Sequence, residues 1–170
     1  MRQGVKSGES ARRTLFSLAV LMCFSSQTSA LEKAAIPPSQ SQAALNSIAG
    51  LLEAGRVQTV EILYVPVDIL QNVNLNPERL QKGYAYKIVA ARFSGSREAS
   101  LLVSALRRTE LSDAKEDADL RWGIIFRLVG GGVRQIYLDG FGRLGQVDTL
   151  PASFHGQLYQ WLREITAPLK

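Results

Sequence analysis

Cysteine and histidine are nearly absent from this chain, which has one of each in 170 residues. Cys23 lies in a segment that we expect to be removed, so the mature chain has no thiol and forms no disulfide. A zinc site needs several cysteine or histidine ligands, and one histidine does not supply them. The common zinc sites are therefore excluded, and the sequence predicts neither a bound metal nor a cofactor.

The chain also lacks an apolar run long enough to cross a membrane. Residues 15–24 form an apolar run that is shorter than a membrane span. Four basic residues precede this run and small and polar residues follow it, an order typical of an export signal. Thr28 and Ala30 fit the small-x-small rule for cleavage. We therefore predict a cleaved secretory signal over residues 1–30, no later transmembrane segment, and a periplasmic or extracellular location. An uncleaved anchor is the alternative, which the short run disfavours.

Little net positive charge remains once this signal is removed. The whole chain has a formal net charge of +5, and residues 1–30 hold four basic residues and one acidic residue, a net of +3. Subtracting one from the other leaves +2 for the mature chain. Nucleic-acid binding needs a concentrated basic face, so we expect no nucleic-acid partner.

Four helices are predicted from residues that cap helix starts. A hydroxyl or amide oxygen at this position accepts a hydrogen bond from a free N–H of the first turn. The four predicted caps are Ser39, Asn76, Ser96 and Ser153. His155 would then lie in the first turn of the last helix. The polar and acidic residues 109–119 are predicted as a connecting loop.

Residues 120–147 have apolar side chains at every second position and predict a β-meander of three strands. One face of the first strand carries Leu120, Trp122, Ile124, Phe126 and Leu128. Three glycines, residues 130–132, form the predicted hairpin loop, which pairs Phe126 with Ile136. A turn over residues 139–142 leads to a third strand, residues 143–147, whose register stays open.

These elements predict a single α+β domain over residues 42–170, after an extended lead-in over residues 31–41. Strands predicted at residues 57–65 and 84–93 join the meander in an antiparallel or mixed sheet of about five strands. We expect the helices to pack on one face of this sheet, against the apolar side of the meander. The other face is expected to remain in solvent.

The sequence shows no catalytic constellation. His155 would have to be the base of any serine–histidine–acid triad, and no Gly-x-Ser-x-Gly elbow accompanies it. Asp139 and Asp148 flank a glycine-rich stretch and could form a pair of carboxylates for acid–base catalysis. Aspartate is also common in turns, and this already explains both residues. A non-enzymatic role is therefore favoured, and a small hydrolase or small-ligand-binding protein is the alternative.

The outward face of the meander carries the candidate binding site. Its residues are Arg121, Arg127, Gln135, Tyr137 and Asp139. Arginine and tyrosine are enriched at protein interfaces. We therefore hypothesise a protein-binding module that recognises another exported or envelope protein through this face. A solvated face without a partner is the plain alternative, because antiparallel sheets commonly leave one face wet.

Overall fold

Seven strands and four α-helices make up the part of the chain that a computed structural model describes, residues 39–69, 71–91, 95–115 and 118–169. In chain order they are α1 (Gln40–Glu53), β1 (Val57–Tyr64), α2 (Pro77–Gly83), β2 (Tyr86–Ala91), α3 (Arg97–Arg107), β3 (Thr109–Asp113), β4 (Leu120–Leu128), β5 (Val133–Asp139), β6 (Leu144–Val147), β7 (Leu150–Gly156) and α4 (Leu158–Thr166). The predicted export signal over residues 1–30 lies outside the described residues, and so does the predicted lead-in up to residue 38.

The strands form one antiparallel sheet in the order β2-β1-β4-β5-β6-β7-β3. The α+β class and the C-terminal run of strands are confirmed, and the sheet has more strands than the five predicted. The additional strands, β3 and β7, pair with each other at one edge. Thr109 is the one fully buried residue of β3, so this strand lacks the apolar alternation that reveals a strand in a sequence.

The C-terminal helix begins later than predicted. Ser153 and His155 lie within β7, and α4 begins at Leu158. The predicted cap at Ser153 is therefore wrong, as is the position of His155 in a helical turn. Ala152 and Phe154 are buried in the core while their neighbours are more exposed, which is the period-two burial of a strand.

The other three helix starts are confirmed. The side-chain oxygens of Ser39, Asn76 and Ser96 each accept a hydrogen bond from the backbone N–H three residues later, at 3.2, 2.9 and 3.1 Å. Each cap satisfies one of the N–H groups that a helix start leaves without an intrahelical partner. Within the described ranges, no helix combines the length and apolar character that a membrane span requires.

The two faces of the sheet are unlike. Helices α1, α3 and α4 enclose the main core against one face, called the helix face. Its strand residues are Val57, Val60, Ile62, Tyr64, Trp122, Ile124, Phe126, Ile136, Leu138, Val147, Ala152 and Phe154. On the opposite side, called the outer face, Leu80 of α2 packs with Val65, Leu75, Leu120 and Tyr137 in a second, smaller cluster.

The faces of the first hairpin are as predicted, but its register differs by two residues. Phe126 pairs with Arg134, and Ile136 pairs with Ile124 instead. The cause is the loop: the Leu128 N–H donates to the carbonyl of residue 132 at 3.1 Å, so residues 129–131 form the three-residue turn. A shift of two residues keeps every side chain on its predicted face.

Leu120 is the exception, because a β-bulge separates it from Trp122. An extra residue in one strand reverses the alternation beyond it. Leu120 therefore joins the cluster on the outer face, while Trp122 lies in the main core.

Candidate functional site

The structure divides the five predicted site residues between two places. Arg127, Gln135 and Tyr137 alternate with core residues of β4 and β5, and therefore lie on the outer face. Arg121 and Asp139 lie at the far end of the same strands, beside the bulge. The two groups have different surroundings and are described in turn.

Tyr137 is fully buried, at 0% exposure, and lies in the cluster beneath α2. Its hydroxyl donates to Gln135 Oε1 at 2.8 Å and accepts a hydrogen bond from Gln81 Nε2 of α2. Burial raises the pKa of the Tyr137 hydroxyl, and the hydrogen bond from Gln81 opposes this rise. Tyr137 therefore joins α2 to the sheet, and its side chain is not part of the exposed surface.

Arg121 and Asp139 hold loops in place. The Arg121 side chain is 11% exposed; its guanidinium pairs with Asp119 Oδ2 at 2.6 Å and donates to the carbonyl of Ile69 at 2.9 Å. Asp139 Oδ1 accepts a hydrogen bond from the backbone N–H of Arg143 at 2.8 Å, which is how an aspartate closes a turn. These contacts give both residues a structural role within the fold.

A second part of the outer face is left uncovered by the described elements and is called the open face. Its residues come from four neighbouring strands and are Thr59, Glu61, Lys87, Val89, Arg127, Val133 and Gln135. Val89 and Val133 are 54% and 43% exposed. Two of the five predicted site residues, Arg127 and Gln135, lie here. Arginine is enriched at protein interfaces, and the two exposed valines add apolar contact area beside it.

Glu61 anchors the open face. It is 7% exposed in mid-sheet, and cations from both flanking strands reach it. Arg127 Nε lies 2.5 Å from Glu61 Oε1, and Lys87 Nζ lies 2.9 Å from Oε2. The Arg127 hydrogen bond is the main cause that lowers the pKa of Glu61; burial opposes it and Lys87 assists it. The same hydrogen bond raises the pKa of Arg127. Glu61 and Arg127 therefore both carry charge near neutral pH, and each carboxylate oxygen of Glu61 is paired.

This ion cluster leaves positive charge and hydrogen-bond donors available. Lys87 and Arg127 share one carboxylate, so one positive charge stays uncompensated. The Arg127 side chain is 52% exposed, and its Nη1 and Nη2 groups have no partner among the described residues. A guanidinium held at Nε presents its remaining N–H groups in a fixed fork that matches a carboxylate. The open face can therefore bind an acidic group.

Sequence reasoning missed Glu61 and Lys87 as members of this site. The available signal was Glu61 itself, a charge within an otherwise apolar strand, because a buried charge requires a partner. The identity of that partner depends on the strand order. Arg127 is 66 residues from Glu61 in the chain and reaches it because β4 pairs with β1.

The other residues considered for catalysis are engaged separately. Asp148 pairs with Arg134 at 2.8 Å, Asp139 closes its turn, and His155 is exposed on β7. Within the described part of the chain, no group of three or more histidine, cysteine, aspartate or glutamate side chains is placed to hold a metal ion. The alternative of a small hydrolase or ligand-binding protein stays a prediction without a supporting contact.

No protein-family model matches the chain, and no curated protein and no solved structure matches it either. Fold by itself does not determine function. The side chains of the open face therefore carry the functional argument.

Proposed function

We propose that the protein is an exported, non-enzymatic binding module whose open face recognises an acidic segment of another protein. The observation that carries this proposal is the Arg127 guanidinium, which Glu61 holds at Nε while its outer N–H groups remain available. A side chain that is ordered before binding loses less conformational entropy when a partner arrives. Export is the part of the proposal that comes from the signal predicted over residues 1–30.

The surroundings of Arg127 support an acidic partner. Val133 of β5 is exposed and lies directly opposite Arg127 of β4. Arginine beside an apolar contact is a common centre of binding energy at interfaces. The uncompensated charge of the Glu61, Lys87 and Arg127 cluster favours an acidic segment and disfavours a basic one.

Replacing Val133 by glutamate tests the proposal, because the new carboxylate lies directly opposite Arg127 and can occupy the N–H groups that would bind the partner. Val133 has an exposed apolar side chain, so Val133→Glu should leave the melting temperature close to that of the wild type. The new carboxylate should repel an acidic segment from this face. Leu101→Glu is the matched control, because Leu101 is a similarly exposed residue of α3, which packs on the helix face.

The measurement is capture of a partner from an extract of the exported compartment by the immobilised full-length protein. Wild type and Leu101→Glu should retain the same partner, and Val133→Glu should lose it. Added salt should weaken retention by the wild type, because exposed charges are screened. Equal retention by Val133→Glu and Leu101→Glu would overturn the assignment of binding to the open face.

A further inference from the structure

Among the described strands, β2 lies at one edge of the sheet and pairs with β1 alone. The carbonyl of Tyr64 points from β1 toward β2 and accepts a hydrogen bond from the Ala85 N–H at 3.1 Å. Hydrogen-bonding groups alternate in direction along an antiparallel strand. The backbone groups of Lys87, Val89 and Ala91 therefore point away from β1. An edge of this kind is a template for a further strand.

The opposite edge of the sheet, β3, is closed to such pairing. The side-chain amide of Gln42 lies along it: Oε1 accepts from the Leu111 N–H at 2.7 Å, and Nε2 donates to the Thr109 carbonyl at 3.4 Å. This amide therefore binds the outward backbone N–H of Leu111 and the outward carbonyl of Thr109, as a peptide group of another strand would. Glu110 and Asp113 add acidic charge to a five-residue strand, and short, charged edges resist strand addition.

We propose that two copies of this chain pair through β2, antiparallel about a two-fold axis at Val89, so that the sheet continues from one copy into the other. In this register Lys87 faces the partner subunit's Ala91, and no like charges meet. An axis at Lys87 would place the two lysines opposite each other, which is unfavourable across a strand pair. Lys87 is the one charged residue of β2, so the strand is compatible with a second copy of itself.

The difference between the two edges makes this assembly a closed dimer. Two-fold pairing uses the β2 edge of each copy and leaves the β3 edges outermost. The Gln42 amide and the acidic side chains then prevent addition of a third copy. The contact is one short strand long, so we expect a dimer of modest affinity.

The dimer goes beyond the proposed function, since it concerns the edge of the sheet rather than its open face. Because β2 contributes Lys87 and Val89 to the open face, pairing through β2 places two open faces side by side. Two Arg127 groups on one continuous surface would bind a partner with repeated acidic segments more tightly than one, through a higher effective concentration.

Sedimentation velocity of the full-length protein over a wide concentration range tests the dimer. Wild type should show a monomer–dimer equilibrium with no larger species. Val89→Pro removes the outward N–H, which the β1 ladder does not use. The two-fold axis makes this single substitution remove two hydrogen bonds, so the dissociation constant of the dimer should rise about tenfold or more.

Two lysine variants keep the test informative if proline destabilises the fold. Val89 and Val133 are both about half exposed on the open face, but Val89 is on β2 and Val133 is on β5. Val89→Lys brings two lysines together at the axis and should weaken the dimer, whereas Val133→Lys should leave the dissociation constant unchanged.

A monomeric wild type, species larger than a dimer, an unaffected Val89→Lys dimer, or equal weakening by both variants would overturn the proposal. These outcomes do not depend on partner capture, so failure of the dimer and failure of the proposed function are separate results.

Discussion

The two halves of the outer face bury their polar side chains in different ways. In the covered half, α2 brings Leu80 onto the sheet, and Tyr137 is enclosed with its hydroxyl bound to Gln81 and Gln135. In the open half no described helix lies over the sheet, and Glu61 is enclosed by the side chains of Lys87 and Arg127. One half is completed by apolar packing and the other by charge.

This difference separates stability from binding on one face of one sheet. Apolar packing excludes water, so its loss leaves a cavity and weakens the whole fold. Ion pairs at a sheet surface remain within reach of water, salt and a partner. Substitutions in the covered half should therefore cause the larger losses in the free energy of unfolding, and substitutions in the open half should change mainly the stability in acid and the binding of a partner.

The largest expected effect is that of Leu80→Ala in the covered half. Leu80 is fully buried against Val65, Leu75, Leu120 and Tyr137, so truncation should lower the free energy of unfolding by about 2 to 5 kcal/mol. Chemical denaturation measures this loss. Leu101→Ala on α3, an exposed leucine, is the control. A loss no larger than that of the control would contradict the packing of α2 on the sheet.

Tyr137→Phe should have the next largest effect. It removes two hydrogen bonds from a buried site, and the free energy of unfolding should fall by about 1 to 3 kcal/mol. Burial raises the pKa of Tyr137 in the folded protein above the value near 10 that is ordinary for an unfolded chain. The resulting stabilisation is fully present below that ordinary pKa and is lost as the pH rises through the pKa of the folded protein. Denaturation curves in alkaline solution should therefore show less pH dependence for Tyr137→Phe than for wild type. Identical slopes would contradict the burial of this hydroxyl.

In the open half, Glu61→Gln should lower the free energy of unfolding by about 1 kcal/mol at neutral pH, since both cations also reach water. The pKa of Glu61 in the folded protein lies below the ordinary 4.5. The resulting stabilisation is present above the pKa of the unfolded chain and is lost as the pH falls through the pKa of the folded protein. Acid titration of stability should therefore be less steep for Glu61→Gln. Glu110→Gln, at an exposed position on β3, serves as the control. Equal slopes for both variants would show that the ion cluster is not formed.

The smallest effect on stability should be that of Val133→Glu. An exposed substitution without a buried contact should change the free energy of unfolding by less than about 0.5 kcal/mol. The same variant should lose the captured partner, which sharpens the contrast between the two halves. A loss of stability as large as that of Leu80→Ala would show that Val133 supports the fold rather than a binding surface.

Features set by near neighbours in the chain could be predicted from the sequence. The caps at Ser39, Asn76 and Ser96 depend on an oxygen and an N–H only three residues apart. The faces of β4 depend on strict alternation, which persists through any even shift of register. Alternation is also why Arg127 and Gln135 were assigned to the outward side of the meander.

Features that depend on distant segments could not be predicted. β3 was missed because it is mostly polar and forms a strand only beside β7, a distant segment, and β7 was missed because Ser153 was predicted to cap the last helix. Tyr137 was expected at the surface, since nothing in its own strand indicates that α2 returns to cover it. The bulge at Leu120 likewise has no local signature.

The sequence by itself determined the α+β class, three helix starts and the faces of the meander, because these follow from propensities and periods within a few residues. The tertiary structure decided the seven-strand order, and with it which half of the outer face is covered and which is open. The ion cluster shows the physical reason. Glu61, Lys87 and Arg127 acquire their shared role only where β2, β1 and β4 lie side by side, because charges interact through space and not along the chain.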